Sequence, residues 1–427
     1  MGPKYELSED FAIKMDAEDP IAKFRDRFYL NENEIYMDGN SLGLMSKDAE
    51  KSLLRVIDEW KRLGINGWSK AEVPWIFFSR ELAKLMAPLV GAHEDELTIH
   101  SSTTVNVHSV IATFFKPDSK RNKILVDELN FPTDRYAIES QLLLRGLNPK
   151  EHLVVVESKD GRTLDENEII SRMTDDIALV FLPAVLYRSG QLLDMELLTR
   201  EAHKRDIYIG FDCCHSAGAV PHKLSEWGVD FAVWCNYKYL NVGPGGPATI
   251  YINRKHFDKG PGMTGWMGYV PEKMFDLLNE FEPAKDAGGW QIGTPHMLSM
   301  APLEGSLKMF NEAGIENLRE KSLKLTDYMM FLIDNKLYQY GFTIGNPREN
   351  NRRGGHVALE HEDAVRINEA LKEMGVIPDF RQPNVIRLAP VPLYISYHDV
   401  WLVVDKIKEI MDKRLYEKYE NKRGIIA

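Results

Sequence analysis

At 427 residues the chain is too long for one compact core, so two closely packed domains are expected. With 44% hydrophobic and 27% charged residues it has the balance of a globular protein and not of a disordered one. Its 53 basic and 64 acidic side chains give a net charge of −11, which repels phosphate backbones and argues against nucleic-acid partners.

The N-terminal MGPKYELSED has no basic-plus-apolar leader pattern. After its Met-Gly start, Glu6 stands where a myristoylation site wants Ser or Thr. Residues 1–45 read as an arm, with one short helix, packing with a small C-terminal domain. Tyr36 to Leu44 is rich in turn formers. Ser46 caps a helix whose apolar positions Leu53, Ile57, Trp60 and Leu63 follow helical spacing, with Gly64 as its stop. Phe78–Leu89 is a further helix.

From residue 97 short apolar strands alternate with helices. The strands are expected at Leu97–His100, Ile124–Asp127, Leu153–Glu157, Ala178–Pro183, Ile207–Asp212, Phe231–Cys235 and Ala248–Asn253. Helices include Pro132–Leu144 and Met195–Lys204. This alternation marks an α/β domain, placed at 46–296, with a mainly parallel sheet and a ligand site at the carboxyl ends of its strands. The longest apolar run, Ile177 to Tyr187, is 11 residues. A bilayer needs roughly 18, so the run reads as a buried strand and no membrane is involved. Three cysteines, Cys213, Cys214 and Cys235, form no disulfide framework and point to a reducing, cytoplasmic setting. Residues 297–427 read as a smaller α+β domain. Its helices are Met297–Phe310, Ile315–Asn335, Asp363–Glu373 and His398–Lys413, and its strands lie near Phe342–Ile344, His356–Leu359 and Val385–Leu388.

One constellation carries chemistry. The strand ending at Asp212 runs into Cys213-Cys214-His215, and the strand ending at Cys235 runs into Asn236-Tyr237-Lys238 and then a Gly-rich stretch. Two neighbouring strands thus deliver a carboxylate and a lysine to one sheet edge. A pyridoxal phosphate enzyme needs this pair: lysine for the Schiff base, carboxylate to keep the pyridine nitrogen protonated. His100-Ser-Ser-Thr-Thr-Val-Asn106 lies between a strand and a helix, where backbone N–H groups and hydroxyls make a phosphate cup. Phe131, in Asn130-Phe131-Pro132-Thr133-Asp134, is placed to stack on the ring. Arg387, among apolar neighbours, needs an anion, and a substrate α-carboxylate is a good one. Taken singly, each of these has an ordinary structural reading: a cap, a core aromatic, an internal ion pair.

These residues sit in longer strings: GNSLGL at 39–44, TVNVH at 104–108, NFPTDRYAIESQL at 130–142, GFDCCHSAG at 210–218, WGVDFAVWCNYKYLN at 227–241, GW at 265–266 and IRLAPVPLY at 386–394. Together they resemble kynureninase, a pyridoxal phosphate enzyme of the aspartate-aminotransferase fold (fold type I) in the class V aminotransferase group. The resemblance covers nearly the whole chain. It implies hydrolysis of L-kynurenine to anthranilate and L-alanine within tryptophan catabolism and NAD-related metabolism, pyridoxal 5'-phosphate as cofactor, no metal, and a homodimer with shared active sites.

The resemblance also implies roles. Lys238 holds the cofactor and acts as general base, Asp212 pairs with the pyridine nitrogen, and His215 lies close by. Phe131 stacks on the ring, with Pro132, Thr133 and Asp134 in the same cofactor-contacting segment. Thr103 and Thr104 receive the phosphate. Tyr237 touches the phosphate and donates a proton. Trp266 and Thr294 match contacts made from the neighbouring subunit. Arg387 binds the substrate carboxylate, with Ser41, Trp68, Gly293 and Thr294 as further substrate contacts. The Gly293-Thr294 pair and an apolar Trp68 imply that 3-hydroxykynurenine is the poorer substrate. Two departures from the family pattern are Pro183, where a small hydroxyl residue is common, and Cys213-Cys214, expected to change only packing. A cysteine desulfurase or selenocysteine lyase shares the fold but needs a thiol on a loop of the C-terminal half. No cysteine follows Cys235, and Tyr237 precedes Lys238 where those enzymes usually have histidine. A catalytically dead binding protein on this fold is expected to lack Lys238 or Arg387, and both are present.

Overall fold

The structure, a computed structural model, describes residues 5–422 and Gly424. The Met-Gly start of the arm lies outside them. At its centre is a seven-stranded sheet: β1 (Leu97–His100), β2 (Lys123–Asp127), β3 (Leu153–Val156), β4 (Ile177–Pro183), β5 (Tyr208–Asp212), β6 (Phe231–Cys235) and β7 (Ala248–Ile252). The spatial order is β1-β7-β6-β5-β4-β2-β3. The β6-β5-β4-β2-β3 run is parallel, whereas β7 is antiparallel to both β6 and β1. The apolar run at Ile177 is β4, an inner strand between β5 and β2, buried at every residue, as a strand covered on both faces must be.

Register at the carboxyl edge positions the chemistry. Pro183 pairs with Asp212, and Asp212 with Val233, so β4, β5 and β6 end side by side. The chain then turns through Asn236 to Lys238. Asn236 anchors this turn by donating to the Pro247 carbonyl (2.6 Å) and to Thr249 Oγ1 (3.0 Å).

The second sheet has four antiparallel strands in the order Asp379–Arg381, Val385–Leu388, Val357–Glu360, Thr343–Ile344. The strand Asp379–Arg381 is absent from the sequence-based expectation, because three residues beside a turn carry no period. The arm is tied to this half of the chain. Its helix Glu9–Ala17 supplies Asp16, which accepts from the backbone N–H of Tyr397 (2.6 Å) and His398 (3.0 Å). Ile35–Tyr36 pairs in parallel with Val376–Ile377.

The helix Lys47–Leu63 starts at the expected cap, with Ser46 Oγ accepting from Ala49 N at 3.0 Å, but its faces differ from the expectation. Its buried residues are Ala49, Val56 and Glu59, while Trp60 is 59% exposed and Leu54 is also exposed. Glu59 is buried because its carboxylate accepts from Glu72 N (3.0 Å) and Trp75 Nε1 (3.3 Å). The helix Met297–Ala313, placed at the head of the small domain by its sequence, packs along this helix, and a Cβ on Gly305 would meet the Asp48 carbonyl oxygen at 2.2 Å. Among the described residues no helix is long and apolar enough to cross a membrane.

Candidate active site

A cavity of about 340 Å³ opens at the carboxyl ends of β5 and β6. It is lined by Asn40, Ser41, Ser101–Thr104, Phe131, Thr133, Tyr187, Asp212, Cys214, His215, Tyr237, Lys238, Gly245, Gly246, Arg381 and Arg387. Ten of the residues expected from sequence thus meet in one place.

On one side, Ser102 caps the helix Thr103–Phe114. Ser101, at φ 54°, turns the chain from β1 into it, and Thr104 Oγ1 lies 2.9 Å from Thr133 Oγ1. The first N–H groups of such a helix are anion donors. In the middle, Lys238 Nζ is 3.1 Å from His215 Nε2. Burial, then the Lys238 charge, holds the His215 pKa well below its usual value. The neutral ring therefore accepts the lysine proton at Nε2 and carries its own proton on Nδ1, which is buried without a partner among the described residues.

Asp212 Oδ1 accepts from Cys214 N at 2.7 Å. Asp134 does not line the cavity: it is buried behind Asp212, with Asn130 Nδ2 on its Oδ2 at 2.8 Å. Burial, then the charge of Asp212, raises its pKa well above the carboxylate range. Its Oδ1 has no hydrogen-bond partner among the described residues, and a protonated Asp134 carboxyl becomes a donor to Asp212. Tyr237 is pushed above the usual phenol range by burial, then by Cys235, and stays a proton donor.

Arg387 is only 1% exposed. It meets Asp379 through Nε and Nη2, donates from Nη1 to the Tyr187 carbonyl (2.9 Å) and from Nη2 to Ser41 Oγ (2.9 Å). The internal ion pair and the place in the cavity are both real. Ser41 is positioned by the tight GNSLGL turn. Gly43 N donates to the Tyr237 carbonyl at 2.8 Å, and a Cβ on Gly43 would lie 2.3 Å from the Lys238 carbonyl oxygen.

Several residues named from the sequence lie outside this chain's own cavity, Trp266 and Thr294 among them, as contacts made from a neighbouring subunit would. Pro132 and Pro183 do not line the cavity. Trp68 stacks edge-to-face on Trp75, ring centroids 5.7 Å apart, and does not line this chain's own cavity. Gly293 and Thr294 are exposed. Trp266 is half-exposed, donating to the Met274 carbonyl at 3.1 Å. Cys214 does more than pack: it faces the cavity, and its Sγ accepts from Cys235 N at 3.2 Å. Asn40, Tyr187 and Arg381 line the cavity without having been singled out. Arg381 carried a signal in its charge and not in any period, standing two residues from Asp379 and six before Arg387.

The residues present fit a phosphorylated pyridine aldehyde: a lysine, a carboxylate backed by a second carboxyl group, and an open helix N-terminus lie around one cavity. Fold and site together define a lysine-centred enzyme of fold type I. The cysteine desulfurase from Thermococcus onnurineus NA1 superposes with a TM-score of 0.77 at 18% identity, over 92% of this chain and 98% of its own. A C-DES mutant with glycine covalently linked to its PLP cofactor gives 0.76 at 15% identity, over 90% and 98%. At such identity these show the fold. The Kynureninase C-terminal domain family matches residues 318–407. The kynureninase of Geobacillus thermodenitrificans is 57% identical over 418 residues, 98% of each chain. The chain belongs to the kynureninase family.

Proposed function

We propose that the protein hydrolyses the Cβ–Cγ bond of L-kynurenine, giving anthranilate and L-alanine, with pyridoxal 5'-phosphate as cofactor. The observation that carries this reading is the placement of Lys238, Asp212 and Arg387 around one cavity with the N-terminus of the helix Thr103–Phe114. When bound, the cofactor supplies a carbonyl for the substrate amine and an electron sink for the charge that develops at Cα.

The chain's own residues do the rest. Thr103 and Thr104 bind the phosphate with the helix N–H groups. Asp212, with the Asp134 hydroxyl donating to it, holds the proton on the pyridine nitrogen. Phe131 covers the ring. Arg387 and Ser41 orient the substrate carboxylate. Lys238 Nζ, steered by His215, takes the Cα proton. Water adds to the γ-carbonyl carbon, the Cβ–Cγ bond breaks, and the Tyr237 phenol donates a proton to Cβ.

The working unit in this reading is a cytoplasmic homodimer. Supporting it are the exposed apolar side chains Leu54, Trp60 and Ile65 along one helix and its end, and the position of Trp266 and Thr294 outside their own chain's cavity. Residues 1–45, 46–296 and 297–427 act as arm, cofactor-binding domain and small domain. The test is incubation of cofactor-loaded protein with L-kynurenine, following anthranilate fluorescence and L-alanine. Equal amounts of both are expected, and their absence would refute the reaction.

A further inference from the structure

The protein already engages all three nitrogens of Arg387: Asp379 meets Nε and Nη2, Ser41 Oγ meets Nη2, and the Tyr187 carbonyl meets Nη1. A carboxylate that bound this guanidinium as a symmetric fork would have to displace one of those partners. The neighbouring strand offers another edge. Asp379 is the cross-strand partner of Arg387, and Arg381, two residues along, shares its face of the strand. Arg381 lines the same cavity. Its Nε is 2.9 Å from Asp379 Oδ2 but lacks hydrogen-bond alignment. No hydrogen bond to either of its Nη atoms is formed among the described residues. One carboxylate therefore stands between two guanidiniums, of which the inner one is committed and the outer one presents an open edge to the cavity.

We propose that Arg381 is a second ligand of the substrate carboxylate, taking one oxygen on its Nη edge while the remaining Nη1 N–H of Arg387 takes the other. This rests on the reaction proposed above. Two planar donors set at an angle define the carboxylate plane, and with it which bond at Cα faces Lys238. The site is thereby selective for α-amino acids with a free carboxylate over their amides, which bring a donor N–H where two guanidiniums require acceptors.

The test uses cofactor-loaded wild type, Arg381→Met and Arg381→Gln. Dissociation constants for L-alanine and L-alaninamide are read by titrating the cofactor absorbance, without turnover, and KM and kcat for L-kynurenine are measured alongside. The acid-to-amide preference is expected to narrow by about tenfold or more in both variants, as loss of a charge-assisted contact implies, with KM rising more than kcat falls. If Arg381→Met does not fold, Arg381→Gln carries the same reading. An unchanged acid-to-amide ratio in a variant that melts at the wild-type temperature would overturn the assignment of Arg381. Failure of the wild type to release anthranilate would overturn the reaction and leave that ratio to decide Arg381 separately.

Discussion

Gly43 offers a test of how the arm governs the catalytic lysine. A methyl group added there would lie 2.1 Å from Asn241 Oδ1, 2.3 Å from the Lys238 carbonyl oxygen and 2.9 Å from Asn241 Cα. Ordinary contact begins near 3.4 Å, so the Lys238–Asn241 turn must retreat by about 1 Å. The Asn241 side chain can rotate away, but the Lys238 carbonyl is backbone and carries its side chain with it. Overpacking of this kind costs about 1–3 kcal/mol of stability. A displacement of about 1 Å in a catalytic group costs on the order of 100-fold in rate. Gly43→Ala is therefore expected to melt below wild type and to lose about two decades of kcat for L-kynurenine, while still binding cofactor phosphate at the N-terminus of the helix Thr103–Phe114, which supplies none of the added methyl's nearest contacts. Thermal unfolding, cofactor content and steady-state anthranilate release measure the three effects. A variant with wild-type kcat would show that the turn does not depend on the arm, and the coupling argued here would be wrong.

Other expectations follow from the same geometry. Lys238→Ala should abolish turnover and the absorbance of lysine-bound cofactor; steady-state activity at the wild-type level would remove Lys238 from the mechanism. Asp38, beside Ser41, Asp379, Arg381 and Arg387, has its pKa pushed up to about 6 by burial first and by the Asp379 charge second. A carboxyl group raised in the folded state adds stability as pH falls through about 6 toward its ordinary 3.8, and that contribution is lost as pH rises again. Protonation also strips a negative charge from beside the arginines, so KM for L-kynurenine should drop on acidification through pH 6. Asp38→Asn should flatten both profiles, and an unaltered KM profile in that variant would exclude the group. Equal mixing of Lys238→Ala with Trp266→Ala subunits should restore about a quarter of wild-type activity, because half the dimers then hold one intact site; no recovery, with exchange demonstrated, would mean that each site is built from one chain.

The Asp212 and Lys238 pair was legible in the sequence because parallel α/β architecture sends strand ends to a common edge, and both residues directly follow or end recognisable apolar strands. The same logic located the segment from His100 to Asn106 and the Phe131 segment, each at a strand-to-helix junction. Local sequence also set most element boundaries to within one or two residues, since caps such as Ser46 and stops such as Gly64 act through neighbouring backbone groups. What it did not determine is everything that depends on which faces meet. Helical period marked Trp60 as inward-facing, yet Glu59 is the buried residue because two donors from a later segment, Glu72 N and Trp75 Nε1, converge on it. Asp134 reads as one more cofactor contact in sequence and becomes a second carboxyl beside Asp212 only when the first turn of the helix Pro132–Leu143 packs against the end of β5. Arg387 reads as an arginine in search of an anion; Asp379, Ser41 and Tyr187, from three separate segments, supply its partners and leave Arg381 facing the cavity. Periodicity and capping are interactions over a few residues, which any window of sequence contains. Burial, pKa and the convergence of Ser41 and Tyr187 on Arg387 are set by groups tens to hundreds of residues apart, and only the folded chain brings them within reach.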